Sequence, residues 1–491
     1  MSLHHILKDS HLFKMNLKDN NAKNIIFYFS ISFFFLLLIP RLFTFGLFLD
    51  GTIYASIARN MADEMGTFWK PFHPYYPNEI FPYHPPLGFW LQSWVYKIMG
   101  NSHLIDGIYG LICSVLMFFL MHQIWKNELK NQTDKLSGVW PSILILAFMP
   151  MVTWSFSNNM LENSLVVFSL LAVYLQSAGQ YELPFRRPVY FLLSGVILAF
   201  GIIVKNPAVI FPLALPGIKW LVKKQKFSTA VFDTFYISFA LIITLYLIFL
   251  PEEAKKFLTL YLDKQLVKSI SGNAAGESGS SWMLLYYLLN ELLVPFVIIS
   301  IAAIFIKKRN SALIIKNRES LLFLLIGISA SIPLILSSKY RKYYIVTSLP
   351  YYALSITLFF NPIFFYLEQK LKENEKLKKF FFKSSIAIFS GAIVVSLALI
   401  DYPVRYREFY NDFYKNKYLI SDGIAIKYCD AKMSKDWGLM ANMQRFFKAT
   451  WVNPDTILLD KKYNCILPKN CAFLTPENFE RFALYRCPKE N

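Results

Sequence analysis

Charged residues are scarce in this chain of 491 residues, of which Asp, Glu, Lys and Arg make up 17%. Globular domains carry about a quarter charged residues, so the composition excludes an ordinary soluble protein. Hydrophobic residues instead reach 55% and aromatic residues 17%. Together these proportions predict an all-α protein that crosses a membrane several times.

Cysteine is also scarce, with five residues in the chain. Cys113 falls in a hydrophobic segment, where a lone cysteine is usually a small packing residue. The other four, Cys429, Cys465, Cys471 and Cys487, lie in the C-terminal tail and include no C-x-x-C pair, which disfavours a zinc site. We therefore predict two disulfides and a tail outside the cytoplasm, with three pairings open.

Two further features are missing from the sequence. No internal repeat of the kind that marks many transporters is present. No small-residue cleavage pattern follows the N-terminal segment, so residues 25–49 are predicted to be a retained first span rather than a signal peptide.

Long hydrophobic segments dominate what is present. A helix of about 20 apolar residues crosses about 30 Å of hydrocarbon, and about eleven segments approach that length. They are residues 25–49, 104–125, 136–153, 161–178, 189–204, 208–222, 229–250, 282–306, 321–336, 344–367 and 380–400. The sequence thus predicts about eleven transmembrane helices.

The charge of the connections predicts the orientation. Lys and Arg concentrate in the N-terminus and at 126–135, 186–187, 219–226, 307–318 and 370–383, which places these connections in the cytoplasm. The other connections, including residues 50–103, then lie outside, as does the tail. The net charge of +19 fits anionic lipid headgroups better than nucleic acid, and a multi-pass protein of the inner (cytoplasmic) membrane is expected.

Two regions are predicted: a membrane domain, residues 1–400, and an extracytoplasmic, periplasmic tail, residues 401–491. Strand-like patterns at 456–460 and 471–474 and helical spacing at 436–450 and 477–484 predict a small α/β module. The tail shows no catalytic constellation, and a stabilising cap is the simplest interpretation of it.

The first outer loop, residues 50–103, is unusually rich in aromatic residues and proline. Aromatic residues at this density favour the headgroup zone, so we expect the loop to lie along the membrane surface, with an interfacial helix at 87–99. Residues 272–281, rich in Gly and Ser, form either a gate or an inert linker.

Asp50 stands where the first hydrophobic segment ends. Such a carboxylate is either a helix N-cap for the short helix around 55–61 or a functional group that faces a lipid-borne substrate. The predicted topology brings Glu162, Lys205 and a basic cluster to the same side of the membrane; the cluster consists of Lys339, Arg341 and Lys342. Glu162 and Lys205 either pair with each other or act on a substrate, and the basic cluster either snorkels or binds phosphate.

Transfer of a group from a lipid phosphate needs this combination. A carboxylate takes the proton from an acceptor hydroxyl as general base. Cations neutralise the phosphate oxygens, which gain charge as the leaving group departs.

Five ordered segments carry a family resemblance: Asp50-x-x-x-Tyr54-Ala55-x-Ile57-Ala58-Arg59-x-Met61; His84-Pro85-Pro86-Leu87-Gly88-Phe89-Trp90; Met160-Leu161-Glu162; residues 201–207 around Lys205; and the basic and aromatic run 339–344. In these segments the chain resembles the GT-C superfamily of integral-membrane glycosyltransferases, in particular aminoarabinose transferases of lipid A and protein O-mannosyltransferases. The resemblance spans residues 25–367 and leaves out the tail.

The resemblance implies a polyprenyl-phosphate sugar donor, a reaction outside the cytoplasmic membrane, and inversion at the anomeric carbon. Asp50 matches the loop aspartate that acts as base or orients the acceptor, and Glu162 a second acid. The matches to phosphate-binding positions are Lys205, Arg341, Lys342, Arg59 and His84. The matches to the substrate pocket are Tyr54, Tyr83 and Tyr344.

The sequence departs from the family pattern at two positions. Gly51 stands where relatives often have Glu, and His84 where they often have Lys. Some relatives carry acidic residues near the position of Tyr83 that hold a metal. Only His73 and His84 are near it here, so neither a metal nor another cofactor is predicted.

The sequence therefore predicts a glycosyltransferase that moves a sugar from a polyprenyl-phosphate carrier to a hydroxyl of a lipid, protein or glycan acceptor. The alternative is a transporter or flippase of lipid-linked sugars, which also needs a cationic phosphate site.

Overall fold

The computed structural model describes residues 22–73, 80–130, 136–267, 282–307, 318–335, 341–451, 456–463, 465, 470–476 and 478–487. Lys8, Lys14 and Lys18 of the N-terminus, the Gly- and Ser-rich segment 272–281 and Lys339 lie outside these described residues.

The membrane domain is built from helices throughout its described length. In chain order they are α1 (Ala22–Leu42), α2 (Leu49–Ala62), α3 (Leu87–Met99), α4 (Ile105–Glu128), α5 (Trp140–Ala147), α6 (Pro150–Ser157), α7 (Leu161–Gly179), α8 (Arg187–Val204), a 3-10 helix (Pro207–Ala214), α9 (Leu215–Lys223), α10 (Phe227–Ile248), α11 (Glu252–Tyr261), a π-helical turn (Leu262–Val267), α12 (Trp282–Lys307), α13 (Arg318–Ile335), a 3-10 helix (Lys342–Thr347), α14 (Leu349–Phe359), α15 (Asn361–Glu373) and α16 (Glu375–Ala398).

Seven helices among the described residues are long and apolar enough to cross a membrane, namely α1, α4, α7, α8, α10, α12 and α16. An eighth span is possible if α5 and α6, which meet at an angle of 80°, count as one. The polytopic all-helical architecture predicted from the sequence is confirmed, although fewer helices have full spanning length than the eleven segments suggested.

Proline explains much of the difference in number. Segment 208–222 divides into a 3-10 helix that begins at Pro207 and the short α9. Segment 344–367 divides into a 3-10 helix followed by α14 and α15, and Pro350 and Pro362 stand in the first turns of these two helices. Proline starts helices readily but interrupts them in the interior, so one apolar segment of the sequence can contain two or three consecutive helices.

The membrane helices pack around one large hydrophobic core. Phe34 and Leu38 of α1, Met117 of α4, Phe156 of α6 and Leu170 of α7 are fully buried in it. Outside this core, α8 packs between α7 and α10. The predicted interfacial helix at 87–99 is present as α3, and it packs against α2.

The described part of the tail forms a mixed α/β module. Its elements are α17 (Arg407–Asn416), β1 (Ala425–Tyr428), a 3-10 helix (Ala431–Lys435), α18 (Trp437–Phe447), β2 (Thr450–Trp451), β3 (Thr456–Asp460), β4 (Ala472–Phe473) and β5 (Phe482–Arg486). The sheet order is β2-β1-β3-β5-β4, with β1 parallel to β2 and β3, and β5 antiparallel to β3 and β4. The expected helix at 477–484 is wrong, because residues 482–486 pair as β5.

Two disulfides close this module, as predicted. The structure joins Cys429 to Cys465 and Cys471 to Cys487, which settles the pairing that the sequence left open. Cys113 is buried in the membrane core, as expected for a packing residue.

A buried network, here called the docking network, holds the tail against the first loop. Arg445 of α18 forms a 2.6 Å ion pair with Asp106 of α4, and Tyr96 donates to the same carboxylate. Arg59 of α2 donates to the backbone carbonyls of Gln444 and Arg445. Arg59 is completely buried and Arg445 is 2% exposed. The tail and the first loop therefore form one packed unit.

The docking network corrects the sequence assignment of Arg59 to the donor phosphate. Its guanidinium donates to Asn60, Gln444 and the α18 backbone and is completely buried. Burial, with a smaller contribution from the nearby charge of Arg445, lowers the pKa of Arg59 to about 10, so it stays protonated at neutral pH.

Substitution of Arg445 by Met should destabilise the protein, because it leaves the carboxylate of Asp106 buried without its partner. Breaking a buried pair in this way costs about 3–5 kcal/mol. We expect a lower Tm of the detergent-solubilised protein and faster proteolysis of the tail. Lys432→Met, an exposed cation of the same domain, is the matched control and should behave as the wild type. An unchanged Tm for Arg445→Met would show that the tail is held by other contacts.

Candidate functional site

Asp50 lies in the first turn of α2, directly after Leu49. The interpretation of Asp50 as an N-cap is wrong, because the cap residue is Phe48, whose backbone N–H donates to Oδ1 of Asn158 at 2.7 Å. The Asp50 carboxylate instead accepts a 2.7 Å hydrogen bond from the hydroxyl of Tyr343. The side chain is therefore held in place by a residue distant in sequence and does not cap its own helix.

Gly51 explains how α2 comes so close to the turn before α7. A Cβ at this position would stand 1.9 Å from the carbonyl oxygen of Asn158. Asn159 also donates to the carbonyl of Gly51 at 3.3 Å. The departure from the family pattern at Gly51 thus has a packing reason, since only glycine allows this contact.

Glu162 and Lys205 form the second part of the site. Glu162 is in the first turn of α7, and Lys205 follows the last residue of α8. Their side chains form a 2.5 Å ion pair and are only 1% and 3% exposed. The pairing considered at the sequence level is therefore present. Within the described residues, Oε2 of Glu162 has no hydrogen-bond partner.

Tyr343 joins these two parts. Its hydroxyl donates a hydrogen bond to Asp50. The ammonium of Lys205 lies 5.6 Å from the centre of the Tyr343 ring and 5.0 Å from the centre of the Tyr344 ring. Trp154 stacks on Tyr343 with ring centres 5.8 Å apart. The structure therefore brings Asp50, Lys205 and Glu162 together on one side of the bundle, with Tyr343 between them.

Tyr54 and His84 border this group. Tyr54 follows Asp50 by one turn of α2, is buried, and shares a 3.0 Å hydrogen bond with Nε2 of His84. Burial raises the pKa of the Tyr54 hydroxyl well above its usual value, and the charge of Asp50 raises it further. Tyr83 packs with Phe81 in the small apolar cluster beside Tyr54.

Of the predicted basic cluster, the structure describes Arg341 and Lys342. Lys342 forms a 3.3 Å ion pair with Oε1 of Glu291, and the side chain of Lys342 is 43% exposed. Arg341 is exposed at the start of the 3-10 helix that carries Tyr343 and Tyr344. Both cations therefore stand at the rim of the site rather than beside the buried ion pair.

Arg405 is a site residue that sequence reasoning missed. It ends a short extended segment, here called the strap (residues 402–405), whose backbone pairs with Phe45 through two 2.9 Å hydrogen bonds. Its guanidinium donates to Oδ1 of Asn158 at 2.6 Å and lies over the rings of Phe48 and Trp154. The tail thus supports the start of α2, and no motif in the sequence signals this contact.

Tyr343 was also missed, although the neighbouring Tyr344 was singled out in the same run of basic and aromatic residues. Tyr344 lines a narrow cleft with a polar end formed by Glu162, Lys205 and Asn206. Ala330 and Leu334 of α13 provide the apolar wall of this cleft. The volume of this cleft is about 10 Å³, which is room for about one water molecule.

His73 and His84, the histidines near Tyr83, each contact an aromatic residue of the first loop. His73 is buried and stacks on Phe81, and burial lowers its pKa to about 3. His84 is engaged with Tyr54. Across the described residues, no three His, Cys, Asp or Glu side chains come together as a metal-ligand group.

The helical membrane domain, the packed first loop and the carboxylates and lysine at one end of the bundle define a protein with the GT-C fold. Residues 83–254 match the family model described as dolichyl-phosphate-mannose-protein mannosyltransferase. The fold is similar to the crystal structure of ArnT from Cupriavidus metallidurans in the apo state, with a TM-score of 0.62 and 9% identity over 94% of this chain and 97% of that chain.

ArnT from the same organism bound to undecaprenyl phosphate is equally similar, with a TM-score of 0.62 and 12% identity over 94% of this chain and 98% of that chain. No curated protein sequence matches the chain. The GT-C fold expected from the sequence is confirmed.

Proposed function

We propose that the protein transfers a sugar from a polyprenyl-phosphate carrier to an acceptor hydroxyl on the outer face of the cytoplasmic membrane. The observation that carries the proposal is the meeting of Asp50 and Lys205 on two sides of Tyr343. A base and a phosphate-binding cation are the two groups that this reaction requires.

Asp50 acts as the general base. Tyr343 donates to Oδ2 of Asp50 and so fixes the orientation of the carboxylate, which directs Oδ1 toward an incoming hydroxyl. The acceptor oxygen loses its proton to Asp50 and bonds to the anomeric carbon, while the bond from that carbon to the phosphate oxygen breaks. A single displacement of this kind inverts the anomeric configuration.

Lys205 neutralises the phosphate as it gains charge, and Glu162 positions the lysine through their ion pair. A buried ion pair contributes little to stability on its own, and the position of this pair beside Tyr343 and Tyr344 favours a functional role. His84, Arg341 and Lys342 assist at the rim, and Tyr54, Tyr83 and Tyr344 line the substrate pocket. The positive charge is assigned to these side chains and not to a metal.

The comparisons support the class of donor. The matching family model is named for a transferase that uses a polyprenyl-type phosphate sugar, and ArnT binds undecaprenyl phosphate. The acceptor in this proposal is a hydroxyl of a lipid, a protein or a glycan.

The position of the charges favours transfer over transport. Asp50 and Glu162 are in the first turns of α2 and α7, and Lys205 is at the end of α8. Transporters place their charged sites near the membrane midplane, on interrupted helices.

The proposal is tested with the purified full-length chain in proteoliposomes, supplied with undecaprenyl-phosphate pentoses and hexoses labelled in the sugar and with membrane lipids and proteins as acceptors. We expect the label to move from the carrier to an acceptor, with release of undecaprenyl phosphate. Movement of the intact donor between leaflets without release of carrier would favour the flippase, and label retained on every carrier would contradict transfer.

Gly51→Ala should lower transfer at least tenfold, because the new methyl group would overlap the carbonyl of Asn158 and displace α2 together with Asp50. Overpacking of this kind costs about 1–3 kcal/mol of stability, and a shift of about 1 Å in a reacting group can cost about 10²-fold in rate. Initial rates and Tm measure the two effects. Gly217→Ala is the matched control, since no atom lies within 4 Å of its Cβ position. Equal rates for the two variants would show that α2 has room to move.

A further inference from the structure

The tail contains a cavity that the proposed mechanism does not use. Its volume is about 310 Å³, at the lower end of the range of about 300–1,000 Å³ that is typical of small-ligand pockets. The side chains that matter for its chemistry are Tyr406, Arg407, Glu408, Asp436, Lys462 and Arg481. We refer to it as the tail pocket.

Three charged groups of the tail pocket are held by ion pairs. Arg481 donates to Asp460 at 2.6 Å and to Asp436 at 2.8 Å, and Lys462 lies 3.5 Å from the same oxygen of Asp436. Three cations and two carboxylates line the pocket, and the carboxylate of Asp460 behind Arg481 balances the remaining charge. The pocket therefore offers both donors and acceptors of hydrogen bonds without a strong field of one sign.

Tyr406 forms one wall of the tail pocket and has a left-handed backbone, with φ of +52°. This conformation is unfavourable for a residue with a side chain, and such residues are concentrated at functional sites. Its ring lies 3.1 Å from the position that a Cβ on Gly438 would take, so glycine at this position leaves room for the ring.

The tail pocket begins beside the segment that carries Asp50. Arg405, the neighbour of Tyr406 in the chain, donates to Oδ1 of Asn158 at 2.6 Å and lies over the ring of Phe48. Phe48 precedes Asp50 by two residues, and its backbone N–H donates to the same oxygen of Asn158. The strap and the docking network fix the tail on the membrane domain, so this relation is built into the fold.

We propose that the tail pocket binds an uncharged saccharide portion of the acceptor, an inference that rests on the proposed function. Carboxylates accept hydrogen bonds from sugar hydroxyls, Arg and Lys donate to them, and an aromatic face packs on the apolar face of a sugar ring. The near balance of charge disfavours a multiply phosphorylated group. The acceptor is then a glycan or glycolipid, and its sugar is held by the tail while its hydroxyl reaches Asp50.

Saturation-transfer NMR tests the binding step, with the full-length protein in detergent and N-acetylglucosamine tetrasaccharide or maltotetraose as probe. We expect saturation of the sugar protons of at least one probe, and a loss of at least fivefold in the variants Arg407→Ala and Lys462→Ala. Both residues are exposed and lie outside the buried contacts of the tail. Lys427→Ala, an exposed lysine on β1, is the control and should retain the signal. No signal in the wild type, or equal signals in all variants, would overturn the proposal.

The transfer assay separates the failure of this inference from that of the proposed function. Arg407→Ala and Lys462→Ala should raise KM for the acceptor at least fivefold and leave KM for the donor unchanged. The tetrasaccharide should be a competitive inhibitor against the acceptor and not against the donor. Unchanged acceptor KM values in an active enzyme would remove the saccharide site. Saccharide binding without any sugar transfer would remove the proposed function alone.

Discussion

Asp50→Asn is expected to lower the rate of sugar transfer by about 10²–10⁴-fold, the contribution usual for a general base. Asparagine has nearly the same shape, and its amide oxygen still accepts a hydrogen bond from Tyr343. It cannot take a proton from the acceptor hydroxyl at neutral pH. The variant should therefore fold and bind donor as the wild type does, and lose the chemical step.

Initial rates of transfer, Tm and the affinity for undecaprenyl phosphate are the three measurements that this prediction needs. Asp263→Asn removes an exposed carboxylate from the π-helical turn and is the matched control for a change of one charge. It should change the rate less than twofold. Full activity of Asp50→Asn would show that the carboxylate has no role as a base, whereas loss of donor affinity would assign it to binding.

The meeting of Glu162 and Lys205 was predictable because helix ends are fixed by topology. A carboxylate at the start of one span and a lysine at the end of the next must lie on the same side of the membrane. The sequence could not give their distance, nor the position of Tyr343 between Lys205 and Asp50. That position depends on how the 3-10 helix Lys342–Thr347 packs against α7, which no local pattern encodes.

Arg59 shows the opposite case. It stands in a recognisable motif, five residues after Tyr54, and we assigned it to the donor phosphate. The fold instead covers it with α18 of the tail, a region that the motif does not include. A local pattern does not predict burial by a distant segment. The contact of Arg405 with Asn158 was missed for the same reason, since the two residues are far apart in the sequence.

The tail shows how pairing overrides periodicity. Residues 477–484 have helical spacing, yet residues 482–486 form β5 because β3 and β4 hydrogen-bond to its two edges. Strand formation depends on such partners more than on the intrinsic preference of the residues. Residues 456–460 were predicted correctly because their short apolar run is buried on both faces of the sheet.

Lys205→Met should both destabilise the protein and abolish transfer, whereas the double variant Lys205→Met with Glu162→Gln should restore stability alone. The single change leaves the carboxylate of Glu162 buried without its partner, at a cost of about 3–5 kcal/mol. The double change removes both charges, so Tm should return close to that of the wild type. Transfer should stay about 10²–10³-fold lower, the loss expected when one group that stabilises developing charge is removed.

A second buried pair provides a matched control for this experiment. Lys219 lies 2.6 Å from Glu128, and the half-buried Lys223 lies 2.6 Å from the other oxygen of the same carboxylate. The side chains of Lys219 and Glu128 are 6% and 1% exposed, close to the 3% and 1% of Lys205 and Glu162. Gln180, just beyond the last residue of α7, contacts both members of this pair, so the two pairs lie at opposite ends of α7. Lys219→Met with Glu128→Gln should therefore preserve transfer. If the two double variants lost activity equally, the pair at Lys205 would be structural and the phosphate would have to be bound elsewhere; loss at Lys205 alone would tie the ammonium to the donor.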